Sequence, residues 1–409
     1  MPSFSIALSG LSADSVALNT IGNNLANLNT TAFKQQSTEF ENLFYQQIGV
    51  NGSGDALQVG AGTKVASTGT DYSQGSIDPT TDSSDMALSG DGYFVVNEGG
   101  VNELTRAGNF QLDANGSLIT SDGAGVMGYA ATNGVIGSNS ALTALQLPVG
   151  TTEAAQATQN FSVTANLNAG ASIGTPFTTP VTLYDSLGQQ HIATVSFTKT
   201  ASNTWSYSVT LPAGDATGTP TNNTGTLTFD SSGNLLTPAS NITGVTFPTL
   251  TDGAADLNLN FNLYGSNGAP TVTQTAAASQ QNANAQDGFA SGIYNGFTVD
   301  SSGVISATFS NGQTESVGQV AVATVANNEG LTVVGDNNFM TTAASGVATI
   351  GVAGTGSRGT ITDSALELSN VDISTEFADL IVAQRAFEAN SKTVTTFDTV
   401  TQDTIAMIR

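Results

Sequence analysis

Residues 4–25 read FSIALSGLSADSVALNTIGNNL, and large apolar side chains recur along this stretch at the spacing of a helix. They stand at Phe4, Leu8, Leu11, Leu18 and Leu25, in steps of 4, 3, 7 and 7 residues. Such steps keep side chains on one stripe of an α-helix, as in the seam of a coiled coil. The opening segment is therefore predicted to be an amphipathic helix.

The closing segment of the chain repeats this pattern. Its apolar side chains stand at Ile373, Phe377, Leu380, Phe387, Val394, Ile405 and Ile408. Asp372 precedes them and is placed to cap the first turn of a second helix. The pattern alone leaves three arrangements open, because the two helices can pair with each other, pair with neighbouring copies, or pack onto the rest of the chain.

Between these segments the pattern changes to short alternating runs that end in Gly, Asn and Asp. Residues 93–96 (YFVV) run into NEGG, and residues 110–112 (FQL) run into DANG. Runs of this kind predict β-hairpins in sandwiches or barrels. The predicted fold class is a multidomain α+β protein, with a terminal coiled-coil-like helical domain and two nested all-β, sandwich- or barrel-like domains.

Changes in composition predict the domain boundaries. Residues 1–70 and 362–409 form the terminal helical assembly domain with its connecting segment. Residues 71–150 and 288–361 form an inner β domain. Residues 151–287 form an outer β domain inserted into the inner one, and they end in a polar stretch from residue 271.

Charge and composition exclude several classes of partner. Only 10% of the residues are charged, against roughly 25% in an average globular domain. The net charge of −24 and the eight basic residues argue against nucleic acid and anionic membrane surfaces. No apolar run approaches the length of about 18 residues that would predict membrane insertion.

The chain contains no cysteine, which excludes disulfides, thiolate metal sites and cysteine nucleophiles. Its first basic residue is Lys34, so the opening residues lack the charged start and apolar run of a cleavable signal peptide. We therefore expect that an extracellular location would be reached by a route that leaves the N-terminus uncleaved.

The motifs that suggest chemistry have simpler interpretations. Residues 354–359 (GTGSRG) match a dinucleotide-binding fingerprint, but the β-branched run 360–362 follows where a helix is required. Asp113 and Asn115 match part of a calcium loop, yet their spacing favours a hairpin turn. His191 is the only histidine, so the sequence predicts no histidine-based metal cluster and no serine triad. We expect no enzyme activity, no cofactor and no metal.

Both ends of the chain carry longer signatures. At the N-terminus these are residues 9–13 (SGLSA), 21–27 (IGNNLAN) and 31–34 (TAFK); at the C-terminus they are 369–372 (SNVD), Phe377, 383–387 (AQRAF) and 389–392 (ANSK). They resemble the terminal signatures of bacterial flagellar rod and hook (axial) proteins. Ala32 stands where that family usually has glycine.

The interior narrows the resemblance. Residues 104–110 (LTRAGNF) are similar to a segment that rod and hook proteins share. Residues 184–191 (YDSLGQQH), 303–305 (GVI) and 309–313 (FSNGQ) resemble hook proteins. A distal rod or other axial protein is disfavoured by the length and the large insertion. An extracellular adhesive β protein would explain the Thr/Asn/Gly content but not the terminal signatures.

Hook proteins form a curved, flexible tube that acts as a universal joint between rod and filament. The resemblance therefore implies an extracellular, self-assembling subunit in which terminal helices line the tube. It also implies four further partners: the distal rod protein, the hook cap, the hook–filament junction protein and the flagellar type III export apparatus. The predicted contacts between copies are Phe4, Leu8, Leu11, Leu18, Asn23, Asn24, Leu25, Asn27, Phe33, Phe377, Leu380, Gln384, Phe387, Asn390, Val394 and Ile405.

Overall fold

The structure, a computed structural model, describes residues 2–50, 52–53, 56–137 and 140–407. A long helix stands at each end, α1 at Pro2–Ala26 and α2 at Ile373–Met407, and the rest is mostly β-strand. This confirms the predicted fold class of helical termini around a β-rich interior. Neither helix, over its described residues, is long and apolar enough to span a bilayer.

The strands are short and follow one another closely. Those before residue 149 are β1 (Gln36–Asn42), β2 (Gln46–Val50), β3 (Ala56–Val59), β4 (Thr63–Thr70), β5 (Ile77–Pro79), β6 (Met86–Ser89), β7 (Tyr93–Glu98), β8 (Val101–Thr105), β9 (Gln111–Leu112), β10 (Leu118–Ile119), β11 (Gly125–Thr132), β12 (Val135–Ile136) and β13 (Leu142–Ala144). The next are β14 (Thr152–Glu153), β15 (Asn160–Asn168), β16 (Pro176–Tyr184), β17 (Gln190–Ala201), β18 (Thr204–Thr210), β19 (Thr224–Phe229), β20 (Leu235–Thr237), β21 (Ile242–Phe247), β22 (Leu257–Asn262), β23 (Val272–Thr275) and β24 (Gln280–Gln286). The last are β25 (Gly292–Val299), β26 (Val304–Phe309), β27 (Thr314–Thr324), β28 (Thr332–Gly335), β29 (Asn338–Met340), β30 (Thr349–Val352), β31 (Thr360–Asp363) and β32 (Ala365–Glu367), with a 3₁₀ turn at Asn328–Gly330.

The chain divides into two compact units. The first unit comprises Met1–Val149, Gly296–Ala307 and Glu315–Arg409, and the second comprises Gly150–Asn295 and Thr308–Thr314. Both helices belong to the first unit. The finer division into three domains stays a prediction.

The first unit has its main sheet around β7. This strand pairs antiparallel with β8 and with β11, and β8 continues through β29 to β28. Alternate side chains of these strands point into one core, where the rings of Tyr93 and Phe339 meet edge-on at 5.7 Å. The apolar run 93–96, which predicted a hairpin, is therefore a strand that lines this core.

The second unit is a β-sandwich. One sheet has the order β21-β22-β15-β23, and β24 also pairs with β15. The other sheet has the order β16-β17-β18-β19-β20. Buried and half-buried residues alternate along β15, and its buried residues share one core with those of the facing sheet. The buried Trp205 of one sheet donates from its indole Nε1 to Gln274 Oε1 of the other at 2.8 Å. None of the described strands closes into a barrel.

Several hairpins turn on the same short motif, in which an aspartate precedes a glycine by three residues. At Asp113 the carboxylate Oδ1 accepts the backbone N–H groups of Asn115 and Ser117, and Gly116 adopts a φ of +81°. Turns starting at Asp185, Asp230 and Asp300 repeat this geometry. Glycine adopts such a positive φ without steric cost. The turn predicted at Asp113 is confirmed.

The glycine-rich fingerprint is also a turn. Residues 354–359 lie between β30 and β31, and Gly354 N–H donates to the Gly359 carbonyl at 2.9 Å. The strand β31 follows at Thr360, where a dinucleotide site would require the start of a helix. The loop interpretation is confirmed.

A buried ion cluster ties the segment after α1 to the segment before α2. Lys34 Nζ lies 2.5 Å from Glu367 Oε1, and Arg106 Nη1 lies 3.3 Å from Glu367 Oε2. The three side chains are at most 7% exposed. Burial lowers the pKa of Lys34, and the Glu367 carboxylate opposes that shift. One carboxylate is thus shared by two buried cationic side chains.

Glu367→Gln should strongly destabilise the first unit. The change leaves Lys34 and Arg106 buried without a counter-ion, and we expect a loss of about 3–5 kcal/mol in the free energy of unfolding. Urea denaturation followed by far-UV circular dichroism would measure this loss. Fluorescence of Trp205, the only tryptophan, would report the second unit as an internal reference.

The matched control is Glu41→Gln, which removes one partner of an exposed pair with Lys64. We expect it to cost less than about 1 kcal/mol. Equal losses in the two variants would contradict the role given to Glu367.

Candidate assembly interface

The helices α1 and α2 pack against each other in antiparallel orientation. Asn24, near the end of α1, donates from Nδ2 to Glu376 Oε1 at 3.0 Å, near the start of α2. About four turns further along α2, Asn390 Nδ2 donates to Asp14 Oδ2 at 2.8 Å. Of the arrangements left open by the sequence, pairing of the two helices with each other is present within one chain.

A face of small residues allows α1 to approach its neighbours closely. Its buried positions are Ala7, Gly10, Ala13, Ala17, Thr20 and Asn24. A Cβ atom added to Gly10 would lie 2.7 Å from Asn390 Nδ2, so a larger residue there would displace the Asn390 side chain. The chain covers this face of α1, which is not the seam of large apolar residues predicted from the sequence.

The predicted seam of α1 lies beside the small-residue face. Phe4 and Leu8 are 41% and 49% exposed, and Leu11, Leu18 and Leu25 are half-buried. These side chains therefore keep much of their apolar surface in contact with solvent in the single chain.

The predicted seam of α2 is divided in the same way. Leu380, Phe387 and Val394 are half-buried and recur at intervals of seven residues, on the stripe that includes Asn390. Phe377 and Ile405 are exposed, and the last predicted seam residue, Ile408, lies outside the described residues. Among the described residues of α2, only Glu376 is buried. The chain itself covers little of this helix.

The polar residues predicted to contact other copies range from buried to exposed. Asn24 is buried and exchanges two hydrogen bonds with the backbone of Gln36, at 2.7 and 2.9 Å. Asn27 donates to the carbonyl and the side-chain oxygen of Asn23 in the last turn of α1. The side chains of Asn23 and Gln384 are exposed.

The segment after α1 makes a tight turn beside α2. Phe33 lies there, half-buried. Ala32 has a φ of +56°, in the left-handed region that favours glycine, and its N–H donates to the Glu367 carbonyl at 2.8 Å. This backbone conformation is one in which glycine, expected here from the family resemblance, would be unstrained.

A groove of about 330 Å³ runs between α1, β1 and α2. Its lining combines apolar residues such as Val382 and Ala386 with the carboxylates of Asp14, Glu376 and Asp379. Glu376 Oε1 accepts hydrogen bonds from Asn24 and from Gln35 Nε2, but its buried Oε2 has no hydrogen-bond partner. Burial raises the pKa of Glu376, and nearby Asp379 raises it further.

The apolar pattern did not reveal Glu376, Gln35 or Glu367. Glu376 precedes the seam residue Phe377 and resembles an ordinary acidic residue in a first helical turn. Its partners come from the other end of the chain, 352 and 341 residues away. A carboxylate one position from an apolar seam is the only local signal that the sequence offered.

Glu376→Gln should change stability in a pH-dependent way. Because the folded state raises the pKa of Glu376, it binds this proton more tightly than the unfolded chain does, and wild-type stability falls as pH rises through the folded pKa. Gln has no such proton, so the unfolding free energy of the variant, relative to wild type, should increase between about pH 4 and pH 7. Urea denaturation at several pH values measures this difference.

Glu388→Gln provides the control, since Glu388 is exposed in a pair with Arg385 on the same helix. Its difference from wild type should change little with pH. If the unfolding free energy of Glu376→Gln relative to wild type stays constant or falls as pH rises, the raised pKa of a buried Glu376 would be contradicted.

Known protein families match both ends of the chain and much of its interior. Four family models match in chain order: "Flagella basal body rod protein" at residues 4–34, "Flagellar hook protein FlgE/F/G D1 domain" at 87–166, "Flagellar basal body protein FlaE D2 domain" at 166–289, and "Flagellar basal body rod FlgEFG protein C-terminal" at 362–407. The first and last of these contain α1 and α2.

Relatives and a solved structure agree with these matches. The chain is 31% identical to the flagellar hook protein FlgE of Treponema pallidum over 463 aligned positions, which cover 100% of both chains. It is 35% identical to the FlgE of Salmonella typhimurium over 414 positions, which cover 97% of this chain and 98% of the other. In fold it is similar to the crystal structure of Helicobacter pylori flagellar hook protein FlgE2, with a TM-score of 0.53, 17% identity, and coverage of 71% of this chain and 100% of that one. The chain belongs to the flagellar hook protein family.

Proposed function

We propose that the chain is a structural subunit of the flagellar hook and that its copies assemble through α1 and α2 into a curved, flexible tube. In this proposal the tube is a universal joint that passes motor torque from rod to filament. The observation that carries the proposal is the apolar surface that both helices leave uncovered.

The uncovered apolar side chains extend along both helices. They are Phe4, Leu8 and Val16 in α1, and Ile373, Phe377, Ile381, Val382, Val400, Ile405 and Met407 in α2. Most helices in proteins owe their stability to packing of an apolar face rather than to intrinsic propensity. A helix that its own chain covers so little therefore gains by packing against other copies.

Charge supports apolar rather than ionic contact between copies. Each copy carries a net charge of −24 and has eight basic residues. Two of these residues, Lys34 and Arg106, are already paired with Glu367 inside the chain. Copies with the same large charge repel each other, so attraction between them has to come mainly from burial of apolar surface.

The same helices can generate a tube. Contacts between different surfaces of successive copies build a closed ring when the rotation from copy to copy completes a circle. When it does not, they build an open helical polymer. Outside the helices, surfaces rich in Ser, Thr, Asn and Gly offer many similar water-bridged contacts. Such contacts suit a joint whose subunits slide past one another as it turns.

Location and partners follow from the same proposal. The subunit would lie outside the cell in the hook, after export through the flagellar type III apparatus without cleavage of a signal peptide. The distal rod protein, the hook cap and the hook–filament junction protein would contact the two ends of the tube or guide its growth. Membership of the hook protein family supports these assignments.

Val382→Asp should block assembly and leave the monomer folded. Val382 is 67% exposed on α2 and lines the groove beside α1. A carboxylate there would have to be desolvated in any contact with another copy, which is strongly unfavourable without a partner. We expect the purified variant to remain monomeric in sedimentation and electron microscopy at concentrations where wild type forms tubes.

Val135→Asp is a control of the same residue type and the same exposure, 67%, in β12. It should assemble nearly as wild type does. Normal tubes from Val382→Asp, or equal defects in both variants, would contradict assembly through the exposed face of α2.

A further inference from the structure

The only histidine of the chain lies among three aspartates in the second unit. His191 Nδ1 lies 2.8 Å from Asp215 Oδ2, and Nε2 lies 3.2 Å from Asp185 Oδ2 and 3.4 Å from Asp252 Oδ2. His191 and Asp185 are buried, whereas the side chains of Asp215 and Asp252 are 29% and 27% exposed. The cluster is thus rigid on one side and open to solvent on the other.

Backbone hydrogen bonds aim both carboxylates at His191 Nε2. Asp185 Oδ1 accepts the N–H groups of Leu187 and Gln189, both at 2.8 Å, in one of the aspartate turns. Asp252 Oδ1 accepts the N–H of Ala254 at 3.0 Å. Each carboxylate therefore uses one oxygen to fix its orientation and presents the other to the imidazole.

Asp215 fixes the imidazole itself. An Nδ1–H donated to Asp215 places the lone pair of Nε2 toward Asp185 and Asp252. Metal-binding histidines usually donate their second ring N–H to a carboxylate or carbonyl in this way, which fixes the tautomer and increases the basicity of the ligand nitrogen.

In that tautomer, three electron-rich atoms converge without a hydrogen between them. The ligand atoms of Asp185, His191 and Asp252 all lie within 4.8 Å of one another. We propose that these three residues bind a divalent transition-metal ion such as Zn²⁺, with Asp215 as the residue that positions His191. The sequence predicted no metal site because one histidine cannot form a histidine-based cluster. The proposed site differs because the fold supplies two carboxylates as the other ligands.

The distances fit a small ion. Zinc bonds to histidine nitrogen and carboxylate oxygen are about 2.0–2.2 Å, so two ligand atoms at a tetrahedral angle are about 3.4 Å apart. The two distances from Nε2, 3.2 and 3.4 Å, match that edge. Ca²⁺ and Mg²⁺ prefer sets made entirely of oxygen ligands, so the mixed set favours a transition metal.

Protonation of His191 at Nε2 competes with metal binding. Burial by itself would lower the pKa of His191, but hydrogen bonds to Asp215 and Asp185 raise it above its usual value. Asp185, Asp215 and Asp252 are the charged groups that face the ring. Because an imidazolium cannot bind metal through Nε2, binding should strengthen as pH rises.

The test is Zn²⁺ titration of the full-length monomer by isothermal calorimetry at about pH 8 and about pH 6, on either side of neutrality. We expect one ion per chain at the higher pH and weaker binding at the lower pH. His191 is the only histidine, so its ring ¹⁵N signals need no assignment, and Zn²⁺ should shift Nε2. Asp252→Asn and His191→Gln should abolish binding, and Asp215→Asn should weaken it roughly 10- to 100-fold.

Asp230→Asn is the matched control, since Asp230 occupies the same kind of turn as Asp185 but is not among the residues that contact His191. It should bind Zn²⁺ as wild type does. Trp205 fluorescence would verify that the second unit is folded in each variant. Absence of saturable binding at the higher pH, or equal binding by folded Asp252→Asn, would overturn the proposal. The cluster would then be a protonated His191 paired with aspartates.

Discussion

Glu376 is the only residue among those described in α2 that the chain buries, and the large apolar side chains of this helix are exposed or half-buried. Phe377, Ile381 and Val382 present their apolar side chains to solvent beside the groove that α2 forms with α1. A helix of 35 residues gains little stability from one buried turn. In the proposed assembly other copies cover these side chains, which would link the stability of the helix to the growth of the polymer.

The β-rich part of the first unit provides the support from which the helices extend. Glu367 binds Lys34 and Arg106 at the point where the segments after α1 and before α2 meet. Asn370 extends this junction by accepting the Gln35 N–H at 2.7 Å and donating to the Asp71 carbonyl at 2.9 Å. Because the three ionic side chains are buried and paired with one another, they favour one arrangement of the helix ends rather than several. The second unit is stabilised separately by its own sandwich core.

Local patterns in the sequence were sufficient to predict much of the fold. Apolar spacing predicted both helices because helical neighbours are only three or four residues apart, and aspartate–glycine spacing predicted the Asp113 turn because its hydrogen bonds stay within five residues. The small-residue face of α1 was missed, since Ala13 and Ala17 do not stand out when large apolar residues are counted. Glu367 and Glu376 were missed because their partners are hundreds of residues away. The surroundings of His191 were missed for a related reason, since Asp215 and Asp252 lie in loops outside the strand that carries His191 and only the fold brings them to it.

The central claim is that other copies cover the exposed apolar faces of α1 and α2 in the assembled tube. Hydrogen exchange of the backbone amides, compared between monomer and polymer, tests it most directly. Amides of α2 around Phe377–Val382 should exchange far more slowly in the polymer, whereas amides of the sandwich strand β17 should exchange at similar rates in both states. Equal exchange of α2 in monomer and polymer would contradict the claim, because it would mean that assembly buries some other surface.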